Sequence, residues 1–381
     1  MIRRQHGFTM VELLITMVIF VLTIAAASSI FVPLLTQFKQ QSKIAETSIE
    51  GIVGIDILRR DIEQAGFGLP WNIPAAVTYN EGSATVTPGF SFTTSNVLID
   101  DSAANNPPRA LASVNNTISP DYFVVKATSV PIHNAAIKWT HVTHTAAGTD
   151  EVKVWGSPVE DLVDDTDRVI ALIPSRGSNP QSQRILVHNA GAFSALFNAA
   201  SFPAAFAPAS SGDLHLIYGV NPSFDLRMPF NRGDYYVRTT GATIPPRCAP
   251  GTGILMKSLI VHGNMAGYAP GDRGPETPLI DCVADMQVIF QLDTDRDGAI
   301  NGPADDISGL TALEVREQVR EVRVYILTHE GQKDITYTYP DNMVTVGEFG
   351  SGRTVDLSTI TDWENYRWKI YRLVVQPNNL E

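Results

Sequence analysis

The chain has 381 residues, of which 44% are hydrophobic and 18% charged, and it carries a formal charge of −12 at neutral pH. That length holds roughly two or three folding units, or a single large one with insertions, and the composition excludes wholesale disorder and a many-span membrane protein. The acidic balance argues against a duplex-DNA binder, which needs a basic face to displace counterions, and two cysteines without a CxxC exclude a zinc ribbon or thioredoxin-type site.

The first element is apolar. Arg3 and Arg4 precede a run from Phe8 to Leu35 whose sole charge is Glu12. At about 1.5 Å per residue such a helix is long enough to cross a bilayer. The arginines hold its start in the cytoplasm and send the rest of the chain outward. One reading is a secretory signal peptide cut near Ala25-Ala26-Ala27. Glu12 opposes that reading, because a carboxylate at mid-membrane costs about 2.5–3.5 kcal/mol and a signal peptide has no use for one. Farther on, Ala45, Ile49, Ile52, Ile55, Leu58, Ile62 and Ala65 recur at helical spacing. They predict an amphipathic continuation whose apolar face packs on a globular domain. Gly66, Gly68 and Pro70 terminate it. A single helix from Phe8 to Ala65 is then about 87 Å long. Pro33 should kink it, and Gly51 and Gly54 should each weaken it by about 1 kcal/mol relative to alanine.

Beyond Trp71 the pattern turns to short β-like runs broken by Gly, Pro, Asn and Asp. Strands are predicted at Tyr122–Thr128, Val169–Ile173, Leu214–Tyr218, Ile254–Val261, Val283–Leu292, Val319–Thr328 and Tyr366–Val375, with one short helix over Leu310–Gln318. Thr78–Pro120 and Ala190–Gly212 read as long exposed loops. The expected fold is α+β: a long N-terminal helix, membrane-embedded over 8–35 and amphipathic over 36–66, packed on an antiparallel β-rich domain over 67–381 with insertions across 78–212.

The strongest local signal in that domain is an acidic loop over 293–306. Asp293, Asp295 and Asp297 alternate, and Gly298 follows in the place where an EF-hand-like calcium loop turns sharply. Ala299 would offer its carbonyl and Asn301 a side-chain or water-bridged contact. Ala304 stands where a bidentate glutamate is expected, so Asp305 or Asp306 would have to substitute. The competing reading is a solvated acidic turn; the mutual repulsion of three close carboxylates favours a structural Ca2+. Cys248 and Cys282 face an oxidising compartment in the orientation above, and a disulfide there contributes about 3–4 kcal/mol in the chain-entropy account. Two buried thiols are the alternative.

Other constellations read as structural. His141 and His144, three apart on a strand, point to opposite faces and do not converge on a metal. The Asp161–Asp167 run is a solvated turn. Tyr366, Trp368 and Tyr371 alternate with Arg367, Lys369 and Arg372, which suits an amphipathic terminal strand better than a platform for single-stranded nucleic acid. Neither GxSxG nor HExxH occurs, and the chain reads as non-enzymatic.

Gly7-Phe8-Thr9-Met10-Val11-Glu12-Leu13-Leu14 resembles the cleavage motif of type IV prepilins and type II secretion pseudopilins. The resemblance implies that residues 1–7 are a leader, cut between Gly7 and Phe8 by prepilin peptidase, which methylates the new amine of Phe8. Glu12 occupies the place where this class keeps its acidic residue. A carboxylate there can neutralise the amine of a neighbouring subunit, each group offsetting the burial cost of the other. Ile57–Gly68, Asp285–Asp295 and Val319–Tyr325 are similar to the PilW family of minor pilins, and Tyr371–Val375 is loosely so. The stretch from about 70 to 250 carries no such likeness. The resemblance implies a pilin-like fold and a subunit that primes pilus assembly and sits at or near the tip. The head is periplasmic, on a single inner-membrane helix, before assembly and extracellular afterwards. Major and minor pilins are the implied partners, with a surface or host ligand at the tip and no nucleic acid. A type II secretion minor pseudopilin and a membrane-anchored adhesin or binding module stand as alternatives.

Overall fold

The computed structural model describes residues 9–82, 96–101, 106–131, 133–175, 183–241 and 243–380. Its first element is a 54-residue helix, α1 (Met10–Glu63), which runs through Pro33 as one helical span. Gln64 caps its end, and Gly66 and Gly68 follow with positive φ of 86° and 66°. From Thr9 to Lys39 every described side chain is exposed.

The second half of α1 packs across the head; Leu58, Ile62 and Ala65 of the predicted face are buried, but farther upstream the buried stripe departs from the predicted one. Thr47, Gly51, Gly54, Leu58, Ile62 and Ala65 form the inward stripe, whereas Ile49, Ile52 and Val53 are 64%, 59% and 56% exposed. The glycines explain the departure. A Cβ on Gly54 would lie 2.0 Å from the carbonyl oxygen of Leu279, so helix and strand touch backbone to backbone there. Apolar periodicity ignores glycine, and for that reason it found the buried side at Leu58, Ile62 and Ala65 but missed it at Gly51 and Gly54.

The head contains, in chain order, α2 (Asn96–Ile99), β1 (Leu111–Val114), β2 (Tyr122–Ala127), β3 (Trp139–His144), β4 (Asp150–Val152), β5 (Arg168–Ser175), β6 (Gln183–Leu186), β7 (Ala195–Leu196), β8 (Leu214–Asn221), β9 (Asn231–Arg238), β10 (Gly253–Ile260), β11 (Arg273–Leu292), β12 (Gly302–Ala304), α3 (Ala312–Gln318), β13 (Val319–Glu330), β14 (Met343–Glu348), β15 (Ser351–Asp356) and β16 (Arg367–Val375). Among the described residues these strands make two antiparallel sheets and a hairpin. The larger sheet runs β1-β2-β9-β10-β11-β13-β16, with β12 on β11; the smaller runs β4-β3-β8-β5-β6, with β7 on β5. All seven predicted strands overlap observed ones, with Thr128, Val261 and Tyr366 each one residue outside, and Val283–Leu292 is the second half of the 20-residue β11.

The main core joins Leu58, Ile62 and Ala65 of α1 to Phe123, Leu255, Met286 and Val324 of the large sheet and to Ile170, Leu172 and Val220 of the small one. On the opposite face of the large sheet, Ile289, Tyr325, Leu327 and Trp368 are covered by Val344 and Val346 of the β14–β15 hairpin and by Leu357 and Ile360. Among the described residues the two predicted loops are poor in regular structure, but they are not simply exposed. Tyr79, Glu81, Ile99, Asp101, Arg109 and Leu111 from the first, and Phe193, Phe197 and Phe206 from the second, are buried.

Candidate functional site

At the helix start, Glu12 forms a capping box. Thr9 Oγ1 accepts from the Glu12 amide at 3.3 Å, while a Glu12 carboxylate oxygen accepts from the Thr9 amide at 2.9 Å and from the Thr9 hydroxyl at 3.0 Å. The carboxylate thereby satisfies amides that a helix start leaves open. It is exposed. Gly7 and Phe8, the expected cleavage pair, lie outside the described residues.

The acidic loop hangs between β11 and β12. Carboxylate oxygens of Asp293, Asp295 and Asp297 lie within 4.8 Å of one another. Asp293 is buried and accepts from the amides of Asp297 and Gly298 at 3.1 and 2.9 Å, with Arg320 on its Oδ2 at 2.8 Å. Burial alone would raise its carboxyl, but Arg320 and the loop amides outweigh that and hold it below the usual carboxylate range. Asn301 Oδ1 accepts from the amide and hydroxyl of Thr294, closing the loop. The two residues expected to complete a metal shell are engaged elsewhere. Asp305 accepts from the Gly352 amide at 3.1 Å, and Asp306 caps Ser308 at 2.7 Å. Three carboxylates less the guanidinium of Arg320 leave a local charge of about −2, which suits a divalent ion.

Cys248 and Cys282 are joined by a disulfide that ties the segment before β10 to the middle of β11. His144 meets Asp150 at 2.8 Å while His141 lies against the Trp155 ring, so the two imidazoles do not converge. In the Asp161–Asp167 run, Asp161 accepts from the amides of Trp155, Gly156 and Ser157, and Asp167 from that of Val163. The terminal strand β16 pairs with β13, and Trp368 on it and Tyr366 just before it are buried around His329; these rings are not free to stack on bases.

Sequence reading missed a buried ionic cluster that ties the first loop to the large sheet. Lys126 on β2 donates to Glu81 at 2.8 Å and to Asp101 at 2.6 Å, and Arg109 holds Asp101 from the other side at 2.8 Å. Arg232 on β9 reaches Glu81 at 3.0 Å, Asp234 at 2.7 Å and Asp100. Tyr122 and Arg273 close on Asp234 at 2.5 and 3.2 Å. Lys126, Arg232 and Asp234 are each 0% exposed. Four carboxylates and four cations balance, as burial of so many charges requires. A lysine near the end of an otherwise apolar strand, Tyr122-Phe123-Val124-Val125-Lys126-Ala127, was the available signal.

Residues 2–28 match the family model of the prokaryotic N-terminal methylation motif. No curated protein and no solved structure matches the chain. The motif, followed by an exposed helix long and apolar enough to cross a membrane, supports the class of type IV pilins and pseudopilins that prepilin peptidase processes.

Proposed function

We propose that this chain is a non-enzymatic, PilW-like minor pilin that helps prime type IV pilus assembly and sits at or near the filament tip. The observation that carries this reading is the motif-bearing helix, whose apolar surface is left exposed by its own head from Met10 to Phe38 and again at Ile49, Ile52 and Val53. Such a surface is satisfied by lipid before assembly and by neighbouring helices after it. The Glu12 carboxylate sets axial register by meeting the methylated amine of Phe8 on an adjacent subunit. A head of two sheets is broad for a position inside a closely stacked helical array, which favours the end of the filament.

Glu12→Ala tests it. The variant should still begin at N-methylated Phe8 by intact mass. Its fraction in sheared filaments should drop by more than about tenfold, because an unpaired buried amine costs several kcal/mol. Wild-type incorporation of the variant would refute the role of Glu12, and a mature chain starting near Ser28 would refute the class. The same N-terminus suits a type II secretion minor pseudopilin, in which case deletion of the gene abolishes protein secretion and leaves pili intact.

We also propose that the acidic loop holds one Ca2+ through Asp293, Asp295, Asp297 and the Ala299 carbonyl, as a structural ion. Calcium at a hundred times its dissociation constant should stabilise the head by about 2.7 kcal/mol over chelator. The gain should vanish in an Asp295→Ala/Asp297→Ala variant. Superimposable melting curves in calcium and chelator would leave only an acidic turn.

A further inference from the structure

A cavity of about 370 Å³ opens between α3, the Trp71 side chain and the end of the chain, with Leu313, Leu380 and Arg316 in its wall. Arg316 is 7% exposed, its Nη1 is enclosed without a hydrogen-bond partner, and it makes no ion pair among the described residues. The neighbouring cations are engaged: Arg320 with Asp293 at 2.8 Å, Arg296 with Glu317 at 2.9 Å, and Arg184 with the Gly66 carbonyl at 3.1 Å. The guanidinium of Arg316 lies 4.4 Å from the centre of the Trp71 ring, over which Arg184 also sits at 4.6 Å. Burial, helped by repulsion from Arg184 and only partly offset by Glu317, pulls Arg316 down to about 10, and it therefore stays charged at neutral pH. A buried cation with a spare donor ordinarily has a counter-ion, since leaving one uncompensated is costly.

We propose that this cavity is a binding site for a carboxylate carried on an aliphatic body, with Arg316 as the anion's partner and Trp71, Leu313 and Leu380 as the apolar wall. The volume falls within the range of small-molecule sites. Besides the apolar wall the lining carries Gln183, Arg296, Glu317 and Arg320; Arg296 is paired with Glu317 and Arg320 with Asp293, which leaves Arg316 as the cation without a carboxylate partner among the described residues. Guanidinium geometry favours a planar carboxylate held by two parallel hydrogen bonds. The site borders the acidic loop through Arg296 and Arg320, but Arg316 itself makes no contact with the loop's aspartates among the described residues. A free acid and the terminal carboxylate of a peptide share this chemistry.

Calorimetric titration of the full chain in detergent tests it, with N-acetyl-leucine, the tripeptide Gly-Gly-Leu, N-acetyl-leucinamide and inorganic phosphate as probes. N-acetyl-leucine should bind, and the neutral amide about tenfold or more weakly. Tighter binding of the tripeptide assigns the site to peptide ends, and tighter binding of the acetylated amino acid to free acids; either supports the proposal. Arg316→Gln should lose the preference for acid over amide. Leu313→Glu, one helical turn before Arg316, should place an internal carboxylate beside it, abolish binding and raise the melting temperature, which keeps the test decisive even where Arg316→Gln folds poorly. No binding of N-acetyl-leucine, equal binding of acid and amide, binding of phosphate alone, or an undiminished preference for acid in Leu313→Glu would each overturn it.

Discussion

Lys126→Met should cost the head about 3–5 kcal/mol, the usual penalty for removing one partner of a buried ionic group. Methionine nearly matches lysine in volume and suits an apolar strand, so the loss reports charge rather than a hole. In the wild type, burial pushes both Glu81 and Asp101 up. Lys126 and Arg109 overcome this at Asp101, whose carboxyl is held below the usual range, but Glu81 remains above it. The stability that Asp101 contributes is present above its unfolded value and fades as pH falls through its folded one. Removing Lys126 raises Glu81 further, so its charged form is penalised in the folded state at neutral pH and relieved when acid protonates it. The deficit of Lys126→Met, measured by denaturant unfolding, should be largest near pH 7.5 and shrink towards pH 5. A deficit below about 1 kcal/mol, or one that does not change with pH, would mean that the cluster relaxes to admit water.

The features legible in the sequence were those written in local pattern. Glu12 in an apolar run, the alternating aspartates before Gly298 and the β-branched runs of β11 and β13 each announce themselves within a dozen residues. The rest depends on contacts distant in sequence. Glu81 and Arg232 meet across 151 residues, and nothing in the residues next to Glu81 marks it as a buried charge. Arg316 has the same character: on a short helix it looks like any surface arginine, until Trp71 and Leu380 close over it. Asp305 and Asp306 were close enough in sequence to serve the acidic loop, but β12 pairs with β11 just before them and carries them off to Gly352 and Ser308.

Gly54→Ala separates what local propensity says of the long helix from what packing says. By propensity, alanine at either Gly51 or Gly54 stabilises the helix by about 1 kcal/mol. In the folded chain the two sites differ. A Cβ at Gly51 meets the hydroxyl end of Tyr371 at 2.9 Å, a ring that can swing aside. A Cβ at Gly54 meets the Leu279 carbonyl oxygen at 2.0 Å and its carbon at 2.6 Å, and β11 cannot yield without disturbing its pairing with β10 and β13. The helix must therefore lift, which also strains the contact of Asp61 with Lys257 at 2.5 Å and that of the Asn378 amide with the Glu63 carbonyl at 3.0 Å. Overpacking of this kind costs about 1–3 kcal/mol and at times more. Unfolding of the full chain in detergent, followed by near-ultraviolet circular dichroism of the head, should show Gly51→Ala within about 0.5 kcal/mol of wild type and Gly54→Ala destabilised by about 2 kcal/mol. Equal stabilisation of both variants would mean that α1 does not seat against Leu279. A destabilised Gly54→Ala shows that the head grips the helix backbone to backbone, which is the rigid coupling a filament subunit needs if force on the head is to reach the helical core.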